Sequence, residues 1–218
     1  MSPSVASGIG RSPQPGPVAA SNEVGHGLLI VFFVSGFAAL LYQLVWQRTL
    51  FALLGINIES VTIVVTAFML GLGCGGLVGG ALSGASPNIV IRRFALAELV
   101  TAFFGASSLW LFHAVGDLTL SLSGGMTALV TFLLLLLPTL AMGATLPLLV
   151  SYAISQSGNV GWSVGVMYAV NTLGSSVGAF GATLILMRLL GQQGVIWVAV
   201  TCNLAVAIAV MLRQSQLR

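Results

Sequence analysis

Residues 126–150 read MTALVTFLLLLLPTLAMGATLPLLV, a stretch without one charged side chain. About 20 mostly apolar residues are enough to cross the hydrocarbon core of a bilayer as a helix. A barrel strand would instead alternate apolar and polar side chains over about ten residues, and Leu133 to Leu137 does not alternate. A helix satisfies its own amides where no water is present, so the stretch reads as a membrane span.

The rest of the chain agrees with it. Of 218 residues, 57% are hydrophobic and 5% are charged, against roughly 25% charged in soluble proteins; the mean hydropathy is +1.08. Lysine is absent: the basic residues are all Arg, against Glu23, Glu59, Glu98 and Asp117. Too few polar groups remain to cover a water-facing surface, and a disordered chain would need low hydrophobicity. The net charge of +3 does not mark a nucleic-acid face, which needs clustered basic residues. The only adjacent pair is Arg92-Arg93.

Working outward, the apolar runs predict six spans. They cover about residues 27–46, 60–82, 94–115, 126–150, 162–189 and 195–212, with a short surface segment between Leu118 and Gly125. The expected fold is an all-α polytopic membrane helix bundle, in two parts: a disordered tail over 1–25, rich in Ser, Pro and Gly, and a six-helix transmembrane domain over 26–218. The first apolar run is long enough to span rather than to serve as a cleaved leader. With six spans, Arg11, Arg92, Arg93, Arg213 and Arg218 fall on one side, and Arg48 and Arg188 on the other. The excess of Arg on cytoplasmic loops then puts both termini in the cytoplasm of a cell with the chain in its inner (plasma) membrane.

Gly71-Leu72-Gly73-Cys74-Gly75-Gly76 fits the spacing of a dinucleotide fingerprint, with Glu98 about twenty residues on. That motif needs a soluble strand-turn-helix unit, and its flanks here are spans. Spacing of four accounts for it better. Gly71, Gly75 and Gly79 share one helix face, Gly76, Gly80 and Gly84 a neighbouring one, and Gly174, Gly178 and Gly181 repeat the device. Small residues let helices approach closely where packing, not hydrophobicity, drives association. Such contacts form within the chain or between copies.

Counted from Ile91, Glu98 stands about seven residues into the third span, roughly 10 Å along it at the helical rise. An intramembrane carboxylate is costly and faces a cavity, a partner or a proton path. Glu98 is therefore protonated, hydrogen-bonded across helices, or used for a cation or a proton. Tyr168, Asn171, Ser175 and Gly178 form a polar stripe in the fifth span, and Tyr42, Gln43, Trp46 and Gln47 close the first. They supply either interhelical hydrogen bonds with an interfacial aromatic anchor or the lining of a central cavity. Pro138 and Pro147 kink the fourth span or mark a site. His26, His113, Cys74 and Cys202 fall in no ligand pattern, so no metal, cofactor or catalytic set is expected.

Four segments in order carry a resemblance: SGFAALLYQLVWQR (35–48), AFMLGLG (67–73), LPTLAMGATLP (137–147) and YAVNTLG (168–174). They resemble the membrane region of fused major-facilitator-like/spermidine-synthase-like proteins. Two positions depart from that pattern: the first-span acid is Gln43 here, and the acidic-basic signature after the second span is reduced to Arg92-Arg93. The resemblance implies half of a major-facilitator-type transporter and a small, cationic, polyamine-like solute. The substrate-binding or proton-coupling candidates are Glu98, Asn171, Tyr168, Tyr42 and Gln43. Family members continue into an aminopropyltransferase-like domain, so a separate soluble protein of that kind is an expected partner, beside the lipid bilayer and further copies or other membrane subunits. The other expectation is a non-transporting anchor or assembly subunit.

Overall fold

The computed structural model describes residues 25–54, 58–119 and 123–216. The expected tail, apart from Gly25, lies outside the described residues. Within them every regular element is helical: α1 (His26–Leu54), α2 (Ile58–Leu82), α3 (Pro87–Thr119), α4 (Gly124–Ser157), α5 (Val160–Gly181), a π-helical turn (Ala182–Leu186) and α6 (Met187–Gln216).

Five stretches among the described residues are long and apolar enough to cross a membrane: His26–Ala52, Val61–Leu82, Pro87–Asp117, Gly125–Ser157 and Val160–Gln214. The fifth holds 55 residues, roughly 80 Å if straight, far more than a bilayer core of about 30 Å. It is not straight. Gly191 adopts φ 65° and ψ −178°, a conformation essentially confined to glycine, and the helical path breaks there.

Several expected boundaries move: α4 runs on to Ser157 and α5 ends at Gly181, and two further shifts have a plain cause. Gln47-Arg48 does not end α1, which runs on to Leu54. Both residue types are good helix formers, so they interrupt an apolar run without interrupting a helix. Arg48 stays exposed, with Nη1 3.8 Å from Met187 Sδ. α3 likewise starts earlier than its apolar run, at Pro87, whose fixed φ suits the first helical position. Arg93 donates to the carbonyl of Leu82, placing a cation at the C-terminal end of α2.

The bundle is apolar outside, and a set of polar side chains is buried within its largely apolar interior. Phe103, Trp110, Leu77 and Leu189 are more than 70% exposed, whereas Ser35, Glu98, Thr101, Ser108, Thr139 and Asn203 are buried. That arrangement fits a multi-pass membrane protein, because lipid accepts the apolar surface.

Glycines set the helix contacts. A Cβ at Gly75 would collide with the carbonyl of Leu140, and one at Gly79 would lie 2.6 Å from that of Ala144. Gly71 faces Thr139, and Gly143 of α4 faces Leu72 in return. α2 and α4 thus meet backbone to backbone. α1 and α5 do the same: Gly36 meets Asn171, Gly174 meets Phe33 and Gly178 meets Phe37. These contacts lie within the chain. Gly80, Gly84 and Gly181 have no atom within 4 Å of an added Cβ. Gly158 ends α4 at φ 67°, and Asn159 caps α5 by accepting from the Trp162 amide at 3.0 Å.

Two apolar clusters divide the interior along the helix axes. One gathers Leu41, Trp46, Phe68, Phe104, Phe112, Leu135 and Ile196. The other gathers Phe32, Ile91, Phe94, Leu148, Met167 and Val206. On α1, Ser35 falls between Phe32 and Ala38; on α3, Glu98 and Thr101 fall between Ala95 and Ala102; on α6, Asn203 falls between Val200 and Val206. The buried polar residues of three helices therefore share one level.

Candidate functional site

At that level lies a cavity of about 170 Å³, lined from all six helices, α2 contributing Phe68 and Leu72. α1 contributes Ser35 and Gln43, α3 Glu98 and Thr101, α4 Thr145, α5 Asn171 and Ser175, and α6 Asn203. The apolar part of the wall is Ala39, Leu40, Phe68, Leu72 and Met142.

Glu98 is 1% exposed. Its Oε1 accepts from Ser35 Oγ at 2.5 Å, and its Oε2 has no hydrogen-bond partner. Thr101 Oγ1 and Asn203 Oδ1, on the same cavity wall, also lack one. Buried polar atoms are nearly always paired, so each exception needs a reason. Three of them on one cavity share a reason: they face something that is not protein. Ser175 and Thr145 differ, because they bond to backbone, Ser175 Oγ to Gly36 O at 3.1 Å and Thr145 Oγ1 to Met142 O at 2.7 Å.

Glu98 lies eleven residues beyond the first residue of α3 (98 − 87), roughly 16 Å along it, further than its apolar run alone implied. The helix begins before the apolar residues do.

The structure brings Glu98, Gln43 and Asn171 together. It does not bring Tyr168, which is 62% exposed on the outer surface of α5. Tyr42 is fully buried but outside the lining: its ring lies against Gly105, where a Cβ would come 2.7 Å from the phenolic oxygen. Tyr42 and Trp46 are not an interfacial anchor either. Trp46 is enclosed, stacked on Tyr42 at 5.1 Å and edge-on to Phe104 at 5.3 Å, with Nε1 donating to Ser108 Oγ at 2.9 Å.

Sequence reasoning missed Ser35, Thr101, Thr145 and Asn203. Hydroxyls in apolar runs carry little signal, because they commonly bond back to their own helix. Asn203 had a signal: an amide in an otherwise apolar span is the same cue that singled out Asn171.

The described residues form further cavities. One of about 400 Å³ lies beside Gln47, Arg48, Thr183 and Gln192, and one of about 140 Å³ beside Asn88, Tyr152 and Arg213. Neither is lined by a buried polar atom without a partner. The central cavity is therefore the candidate site. No family model, curated protein or solved structure matches the chain.

Proposed function

We propose that this chain is a transporter-like membrane module that binds a small cationic solute in the central cavity, with Glu98 as its counter-charge. The observation that carries this reading is the free oxygen of Glu98, buried in a cavity at mid-bundle. A carboxylate there is expensive unless it meets a partner, and the protein offers only the Ser35 hydroxyl. A bound cation supplies what is missing.

In this reading the break at Gly191 separates a fifth crossing from a sixth, both termini are cytoplasmic by the distribution of Arg, and the membrane is the inner one. The resemblance of four ordered segments to the membrane region of fused major-facilitator-like/spermidine-synthase-like proteins supports it. Six helices make half of a facilitator-type transporter, so two copies would complete the path.

The test is uptake into proteoliposomes. Glu98→Gln abolishes transport or binding and leaves the helical content and thermal unfolding intact; normal transport by that variant removes the reading.

A second reading, a non-transporting anchor, draws on the outer face of α2. Gly80 of α2, and Gly84 just beyond the end of that helix, leave room for close approach by another helix. Recovery of one defined partner in mild detergent, such as a soluble aminopropyltransferase-like protein, would favour it; recovery of self-copies alone would count against it.

A further inference from the structure

The chemistry of the cavity wall limits the charge and the head group of what it holds, an inference that rests on the reading of this cavity as the solute site. Its lining carries one carboxylate, Glu98, and no Arg, Lys or His. Of the four buried side-chain atoms without partners among the described residues, Tyr42 Oη lies outside the lining, and the three on it are oxygens: Glu98 Oε2, Thr101 Oγ1 and Asn203 Oδ1. Their residues are 1%, 2% and 3% exposed. Glu98 and Thr101 stand three residues apart on α3, hence on one face, and α6 brings Asn203 to the same cavity.

A carboxylate oxygen and an amide oxygen only accept, and a hydroxyl accepts as well as donates. These three oxygens call for donors from the solute, although the amides of Gln43 and Asn171 on the same wall carry donors of their own. A primary ammonium presents three N–H donors, no acceptor and one positive charge. A guanidinium presents five donors in a fixed plane, more than the free oxygens, and a quaternary ammonium presents none. Leu40, Phe68, Leu72 and Met142 complete the wall, an apolar seat for a short hydrocarbon body. A second positive charge on that body would leave water for a wall with no counter-charge, and an unpaired buried ion is heavily penalised.

We propose that the cavity selects a small primary monoamine. Its ammonium is held by Glu98, Thr101 and Asn203, its hydrocarbon body lies on Phe68, Leu72 and Met142, and diamines or longer polyamines of the same body are rejected.

Matched probes test this with the full chain in lipid nanodiscs, empty nanodiscs serving as the blank. n-Pentylamine and 1,5-diaminopentane share a body and differ by one charge, and 1-pentanol removes the charge. Titration calorimetry should show saturable binding of n-pentylamine, binding of 1,5-diaminopentane weaker by at least about tenfold, and none of 1-pentanol. Glu98→Gln should abolish n-pentylamine binding. Thr101→Val and Asn203→Leu, which remove oxygens that have no partner to lose, should each weaken it about five- to twentyfold with thermal unfolding unchanged.

Equal or tighter binding of 1,5-diaminopentane that still depends on Glu98 would overturn the single-charge assignment and leave the solute site standing. Saturable sodium binding with no amine binding would overturn the ammonium. Amine binding that survives Glu98→Gln would sink the solute site itself. Should Glu98→Gln fail to fold, the other two variants decide.

Discussion

Ser35 Oγ of α1 donates to Glu98 Oε1 of α3 at 2.5 Å, and this bond ties the two helices together at the level of the cavity. It divides the carboxyl group into an oxygen that serves the fold and an oxygen that faces the cavity.

The two halves of that group should separate on mutation. Ser35→Ala strips Glu98 of its protein partner and should cost about 1–3 kcal/mol. Glu98→Gln keeps an oxygen for Ser35 and should cost under about 1 kcal/mol. Reversible unfolding in mixed detergent, followed by tryptophan fluorescence, gives the order. A Glu98→Gln variant less stable than Ser35→Ala would contradict it.

Glycines on adjacent faces of α2 should respond oppositely to one methyl group. At Gly75 the obstacle is the backbone of Leu140, which cannot rotate aside, so Gly75→Ala should lose about 1–3 kcal/mol. Gly80→Ala enters open space and should be neutral or gain up to about 1 kcal/mol from helix propensity. Thermal melts of the two variants compare them directly, and equal melting temperatures would refute the packing account.

Around Trp46 the size of each effect tells hydrogen bonding from packing. Ser108→Ala removes the partner of the indole N–H and should cost about 0.6 kcal/mol, the usual worth of an interhelical hydrogen bond in a membrane protein. Trp46→Ala empties a site shared with Phe68, Phe104 and Phe112 and should cost about 3–5 kcal/mol. If the serine variant proved as damaging as the tryptophan variant, the polar contact rather than the aromatic cluster would be what holds this end of the bundle.

At Gly191 the strain lies in the backbone. A Cβ there meets nothing within 4 Å, yet φ of 65° with ψ of −178° is unfavourable for any side chain. Gly191→Ala should therefore destabilise by about 1–3 kcal/mol, while Gly181→Ala, helical and equally open, should not. Cysteine accessibility on either side of position 191 would show whether the bend has straightened.

Much of the fold was legible because lipid makes simple demands. Uncharged runs such as 126–150 announce helices, and glycines spaced by four announce close contacts: Gly71, Gly75 and Gly79 of α2 do pack against α4, and Gly174 and Gly178 of α5 against α1. Ends were less legible. Gln47 and Arg48 end an apolar run, but helix propensity and a long side chain carry α1 past them. The π-helical turn at Ala182–Leu186 had no cue at all. For the site, Glu98 stood out because burying a carboxylate is costly. Ser35 and Thr101 did not, because a hydroxyl becomes informative only once its neighbours on other helices are known. Tyr168 shared a sequence stripe with Asn171 yet faces outward, since the lining of α5 narrows to Asn171 and Ser175.

α1 is enclosed by segments that are synthesised long after it: Gly36 fits against Asn171, and Ser175 reaches back to the Gly36 carbonyl across 139 residues. At ribosomal speeds of about 5–20 residues per second, that interval lasts roughly 7–28 s. During it Ser35 and Gln43 have no α5 to face. A nascent chain of this protein must shelter its opening helix, at the insertion machinery or against an earlier-made copy, until the fifth helix emerges. Slowed translation beyond α4 should therefore hurt its yield more than slowing within α2.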